Sequence, residues 1–211
     1  MQNPEVQVFD STLPLLNLVV FASGRGTNFE AIMKAVYAKR LRARVLGLVC
    51  NNPRALAVQR AKRYGVSVAI VDHRDYADRA GFEAEINRAT ESFGPVDLLV
   101  LAGWMRIFSP QFVDRYSGRI LNLHPSLLPS FKGNHAVRQT LAAGVKFSGC
   151  TVHVVEAEVD SGEILVQAVV PVYPNDTEDE LLARIQRQEH AALVTGITLY
   201  AARILKPVGP T

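Results

Sequence analysis

Short apolar runs recur along this chain, and a segment of helical period follows each of the first three. LLNLVVFA (15–22), VLGLVC (45–50), VSVAIV (66–71) and PVDLLVLAG (95–103) read as strands, and GRILNLHPS (118–126) holds a fifth. Runs that are apolar throughout, instead of alternating apolar with polar, belong to strands buried on both faces. Strands alternating with helices at this spacing build a mainly parallel sheet. The helical segments are TNFEAIMKAVYA (27–38), with Thr27 or Asn28 able to cap it, PRALAVQRAKRYG (53–65) and RDYADRAGFEAEINRATESFG (74–94). The second of these opens on Pro and stops on Gly, as a helix should.

The later pattern differs. GCTVHVVEAEVDSGEILVQAVVPV (149–172) gives two β-rich runs joined by a loop at Val159 to Gly162, a hairpin or its open relative. TEDELLARIQRQEHAALVTGITLYAARIL (177–205) is one long helix, with Thr177 and Glu180 as a capping box. The fold class is therefore α/β: one domain over 15–205, with a mainly parallel twisted sheet, helices on both faces and a more antiparallel C-terminal part. Residues 1–14 read as a flexible extension and 206–211 as a tail. No internal repeat interrupts this order.

Composition narrows the partners. Hydrophobic residues make up 48% of the chain, enough for a real core. The formal charge is only +3 and no long Lys/Arg run appears, which speaks against a nucleic-acid binder. No apolar run approaches the roughly 20 residues that span a bilayer, and the N-terminus lacks the basic start of a signal peptide. Cytoplasmic residence and no membrane partner are the expectations. Cys50 and Cys150 sit in apolar stretches and read as buried free thiols.

Three features carry chemistry. Ser23-Gly24-Arg25-Gly26-Thr27-Asn28 joins the first strand to a helix, whose unpaired N–H groups suit an anion. The loop fits neither GxGxxG nor GxxxxGK(S/T), and the alternative is a plain strand-to-helix turn. Asn122 and His124 lie two apart on a strand, so they share a face, and Pro125 ends the strand behind them. An amide donor beside an imidazolium suits a developing oxyanion, although a hydrogen-bonded core pair has the same pattern. Asp160-Ser161-Gly162 is a turn, and becomes functional if it folds over His124, where a carboxylate favours the charged ring and accepts a proton. His153 lies on the preceding run and reads more simply as a half-buried strand residue. His73, His135 and His190 show no metal-ligand spacing, there is no CxxC, and Ser126 and Ser161 lack a nucleophile elbow.

Taken together these residues resemble the folate-dependent formyltransferase superfamily. SGRGTN is similar to its S-G-x-G-S/T-N loop, and LAGWMRIFSP (101–110) to its L-A-G-F/Y-M-R/K-I element. LNLHPSLLPSFKG is similar to its I-N-I/L-H-P-S-L-L-P signature, and TVHVVEAEVDSGEILVQ to its S/T-V-H element ending D-x-G. The four stand in the family's order over roughly 16–205. The wording MRIFSP and the complete glycine loop favour the branch that formylates glycinamide ribonucleotide.

The resemblance implies a Rossmann-like formyltransferase fold and transfer of formyl from 10-formyltetrahydrofolate to the amine of glycinamide ribonucleotide in purine biosynthesis. It implies small-molecule partners, no metal, no ATP, and a monomer or homodimer. Asn122, His124 and Asp160 would be catalytic. Gly26, Thr27, Asn28 and Glu189 would hold the phosphoribosyl group. Arg79, Met105, Arg106, Ile107, Phe108, Asn122, Val159 and Asp160 would meet the folate. The chain departs from the pattern at Ser130-Phe131-Lys132-Gly133, where F-P-G or Y-P-G is usual. A hydrolytic relative that releases formate, another formyltransferase of the same core, and a non-enzymatic nucleotide-binding module are the alternatives.

Overall fold

The computed structural model of the chain describes residues 15–205, so the extension at 1–14 and the tail at 206–211 lie outside the described residues. The elements run β1 (Leu16–Ala22), α1 (Thr27–Tyr37), β2 (Ala43–Cys50), α2 (Leu56–Arg63) and β3 (Ser67–Ile70). After a 3-10 turn at His73–Asp75 come α3 (Arg79–Ser92), β4 (Leu98–Leu101), α4 (Pro110–Arg115) and β5 (Ile120–His124). α5 (Ala136–Ala142), β6 (Phe147–Val154), β7 (Ile164–Pro171) and α6 (Glu178–Leu205) complete the order. One seven-stranded sheet has the order β3-β2-β1-β4-β5-β6-β7. Its first five strands are mutually parallel, whereas β5–β6 and β6–β7 pair antiparallel. This is the sheet expected from the sequence, including its antiparallel end.

Side-chain alternation explains why helices must cover both faces. On β1, Leu16, Leu18, Val20 and Ala22 join one core with α1, α2 and α6, while Val19 and Phe21 join a second with α3 and α4. On β4, Leu98 and Val100 face the first core, and Leu99 and Leu101 the second. Each such fully buried side chain contributes roughly 1.5–3 kcal/mol relative to leaving it in water. The long helix α6 closes the first core with Leu181, Ile185, Leu193 and Ile197. Its capping box is present: Glu180 Oε2 accepts the Thr177 N–H at 2.9 Å, and the Glu180 N–H donates to Thr177 Oγ1 at 3.3 Å.

Several boundaries differ from the sequence reading. α1 has no side-chain cap, because Gly26 takes the N-cap position in the left-handed region (φ 70) and Asn28 is turned elsewhere. α2 begins at Leu56, leaving Pro53 in the loop before it. The helix expected from residue 74 begins only at Arg79, where the Asp78 carboxylate accepts the Gly81 N–H and starts it. α4 and α5, six and seven residues long, were not expected. Cys50 and Cys150 are free and buried, and burial, helped by the Glu189 charge, pushes the Cys150 thiol up to about 12. No helix among the described residues is long and apolar enough to cross a membrane.

Candidate functional site

On β5, Ile120 faces the second core, and the two-residue period puts Asn122 and His124 on that same face. The antiparallel register sets Asn122 opposite His153 and His124 opposite Thr151. Directly opposed residues share a face, so four polar side chains occupy the place where β1 and β4 carry Val, Leu and Phe. The apolar cover of this face stops with α3 and α4, and a cavity of about 680 Å³ opens there instead.

Asp160 closes over this polar face. The nine residues between β6 and β7 bring its carboxylate 3.3 Å from His124 Nδ1 and 3.5 Å from His153 Nε2. Asn122 Nδ2 donates to Asp160 Oδ1 at 3.4 Å, and the Gly133 N–H donates to Oδ2 at 2.8 Å. Asp160 itself is left-handed, with φ 51, a region in which Asp is among the few tolerated side chains. Burial, the largest single influence, pushes its pKa up. The His153 hydrogen bond, the Gly133 N–H and the charges of both histidines together outweigh it, so the carboxyl lies below its ordinary value.

His124 Nε2 lies 2.9 Å from the Phe131 carbonyl, while Nδ1 faces Asp160. With an oxygen acceptor at each nitrogen, the ring satisfies both contacts only when both nitrogens carry a proton. His153, 1% exposed, gives its Nδ1–H to its neighbour Val154 O at 2.9 Å and meets Asn122 Nδ2 at 3.1 Å through Nε2. It thereby belongs to the cluster, where the sequence offered only a strand position. Ser126 Oγ donates to Ser130 O at 2.6 Å, holding the loop that carries the Phe131 carbonyl. Among the described residues no three His, Cys, Asp or Glu side chains are grouped to hold a metal ion.

All the residues expected at the folate, Arg79, Met105, Arg106, Ile107, Phe108, Asn122, Val159 and Asp160, line the same 680 Å³ cavity, with His124 among them. Met105, Ile107 and Val159 offer apolar groups that are 74%, 53% and 38% exposed, ready to be covered by an apolar ligand. Phe108 is buried behind them and stacks on Trp104, which in turn stacks on Phe82. Trp104, Phe82 and His73 wall the cavity as well, beyond the residues that the family resemblance implies. The signal available for Trp104 was its place within LAGWMRIF.

Gly26, Thr27, Asn28 and Glu189 stand apart from that lining. They form a second cluster where β1 runs into α1 and meets α6. Asn28 Nδ2 donates to Glu189 Oε2 at 2.9 Å, and both side chains are buried. Burial pushes the Glu189 pKa up, against the pull of the Asn28 bond and the nearby Arg25 charge. Arg25 reaches across the loop and gives a hydrogen bond to Gln186 of α6. A Cβ at Gly26 would stand 2.6 Å from Ala57 Cα, so the loop packs against α2 only with glycine there. With no side chain capping α1, its first N–H groups remain available to an anion.

The formyl transferase family profile matches residues 16–197. The chain belongs to that family. As a formyl transferase it is 39% identical over 191 residues to phosphoribosylglycinamide formyltransferase of Escherichia coli K12, covering 90% of each chain. It is 41% identical over 196 residues to the trifunctional purine biosynthetic protein adenosine-3 of Drosophila melanogaster. The match takes in 89% of this chain and spans only 14% of the length of that relative. The crystal structure of glycinamide ribonucleotide transformylase 1 from Symbiobacterium toebii superposes with a TM-score of 0.87 at 40% identity, covering 92% of each chain. The formyl transferase fold expected from the four motifs is the fold observed.

Proposed function

We propose that this formyl transferase moves the formyl group of 10-formyltetrahydrofolate to the amine of glycinamide ribonucleotide, as the names of its relatives indicate for them. The observation that carries the reading is the hydrogen-bonded set of Asn122, His124 and Asp160 at the wall of a cavity to which Met105, Ile107 and Val159 also offer apolar groups. The amine attacks the formyl carbon, and the new C–N bond forms as the carbonyl becomes an oxyanion. The Asn122 amide donates to that oxyanion. His124 sets its positive charge beside it and gives it an N–H once the oxyanion takes the place of the Phe131 carbonyl. Preorganised donors of this kind supply several kcal/mol of barrier lowering. Collapse breaks the bond to folate N10, and Asp160 helps carry the proton from the amine to N10, directly or through water. Glu189 and the loop Gly26-Thr27-Asn28 hold the ribonucleotide. The transfer needs neither ATP nor a metal, and no covalent enzyme intermediate forms.

The deciding assay follows the absorbance of the folate product with and without glycinamide ribonucleotide, in the absence of ATP and with a chelator present. Turnover should require the ribonucleotide. Formate release without it would assign the hydrolytic reaction instead, and strict dependence on ATP or a metal would overturn the mechanism.

A further inference from the structure

Arg25 is the one charged residue of the glycine loop, and the transfer described above gives it no task. Its backbone is fixed from α2. The Ala57 N–H donates to Gly24 O at 3.1 Å, Arg60 Nε–H donates to Arg25 O at 2.9 Å, and Gly26 packs on Ala57. The side chain is exposed and gives its hydrogen bond to Gln186 Oε1, a neutral acceptor on α6. Arg60 and Lys34 nearby both meet Glu30 in ion pairs, whereas no carboxylate among the described residues is in ion-pair contact with Arg25. Gln186 stands three residues before Glu189 on α6, and residues three apart are neighbours on a helix surface. The guanidinium therefore spans from the loop to the part of α6 that carries Glu189, and its charge reaches that carboxyl.

We infer that Arg25 exchanges Gln186 for the phosphate of the ribonucleotide and so sets the preference for a phosphorylated substrate. The inference rests on the function proposed above, in which Gly26, Thr27 and Asn28 hold the phosphate and Glu189 the ribose. Arg25 adjoins the first group in sequence and reaches the helix turn before the second. The exchange replaces a neutral amide oxygen by an anion, and a guanidinium fork pairs with phosphate through charge-assisted, two-pronged hydrogen bonds. Arg60 holds the Arg25 carbonyl, so side-chain torsions alone make the move and the loop backbone stays in place. Gly24 and Gly26, on either side, carry no side chain to stand in its path. A cation here also offsets the repulsion between the substrate phosphate and the Glu189 carboxylate, two like charges at one site.

The test measures KM for glycinamide ribonucleotide in the wild type, Arg25→Lys, Arg25→Gln and Lys62→Gln. The last removes the same unit of charge from an exposed position of α2. Arg25→Gln should raise this KM roughly tenfold, the worth of one charge-assisted hydrogen bond, with kcat and the folate KM unchanged. Arg25→Lys should recover part of the loss, since it keeps the charge without the fork. Inorganic phosphate, competing with the ribonucleotide, should lose potency in Arg25→Gln by a similar factor. An unchanged ribonucleotide KM in Arg25→Gln, an equal rise in Lys62→Gln, or a fall in kcat in place of the rise in KM overturns the inference. Should glycinamide ribonucleotide not turn over at all, the proposed function fails. Calorimetry of the ribonucleotide against its dephosphorylated riboside then decides the role of Arg25 separately. The wild type should prefer the ribonucleotide, and Arg25→Gln should lose about tenfold of that preference. The same preference in both proteins, or none in the wild type, overturns the inference.

Discussion

Asp160 meets Asn122, His124, His153 and the Gly133 N–H at once, so its replacement separates chemistry from shape. Asn tolerates the left-handed backbone that Asp160 adopts, and Asp160→Asn keeps the outline while removing the charge. kcat should fall on the order of a hundredfold, as loss of a proton-transfer partner does, while ribonucleotide KM stays near normal. His124→Ala should cost about as much, and the double variant little more than either, as for residues acting as a unit. Simple multiplication of the two losses would deny the coupling. The pH dependence has a fixed sign. A carboxyl held below its unfolded value near ~3.9 adds stability above that pH and loses it as pH falls through the folded value. The Tm deficit of Asp160→Asn should therefore be full at neutral pH and shrink in acid, and scanning calorimetry at both reads it. Asn122 and His124 were legible from the two-residue period alone. Asp160 was legible only as a turn, and the Phe131 carbonyl not at all, because backbone groups leave no mark in a sequence.

The turn that delivers Asp160 owes its position to Gly162. A Cβ there would stand 1.9 Å from the Val154 carbonyl oxygen on β6, a backbone atom that cannot swing aside as a side chain would. Gly162→Ala should lift the connection between β6 and β7 and draw Asp160 from His124 while leaving every reacting group chemically intact. The expected outcome is a kcat loss of tenfold or more, since a misplacement of about 1 Å costs up to a hundredfold. A near-normal kcat with only a lower Tm would show that the loop tolerates the shift. The sequence displayed this turn, and it displayed the five parallel strands from their apolar runs, although β3, at the edge of the sheet, buries none of its residues. It hid α4 and α5, which are too short to complete two helical periods. It also misplaced the start of α3, because Asp72 and Asp78 both begin turns and only tertiary packing decides which one opens the helix.

Across the whole molecule, the strand order reverses between the parallel neighbours β1 and β4, the crevice where such sheets bind ligands. The glycine loop leaves β1 on one side, and Trp104 to Phe108 follow β4 on the other. The proposed ribonucleotide and folate clusters thus share one edge of the sheet without sharing side chains, and substitutions should weaken their ligands separately. Thr27→Asp puts a carboxylate at the first turn of α1, where negative charge suits the helix dipole and opposes a substrate phosphate. Ribonucleotide KM should rise on the order of tenfold or more, with the fold intact. Ile107 is 53% exposed at the cavity, so Ile107→Asp should also fold, yet it sets a charge against the apolar part of the folate. Trp104, the chain's single tryptophan, walls that cavity, and its emission should report folate binding directly. Titrations should show folate affinity lost on the order of tenfold in Ile107→Asp and nearly unchanged in Thr27→Asp. Thr27 lies outside the cavity that Ile107 lines, so the double variant should carry both defects as roughly the product of the single ones. If Thr27→Asp weakens folate as much as ribonucleotide, the two clusters are one site and the division of roles between β1 and β4 is wrong.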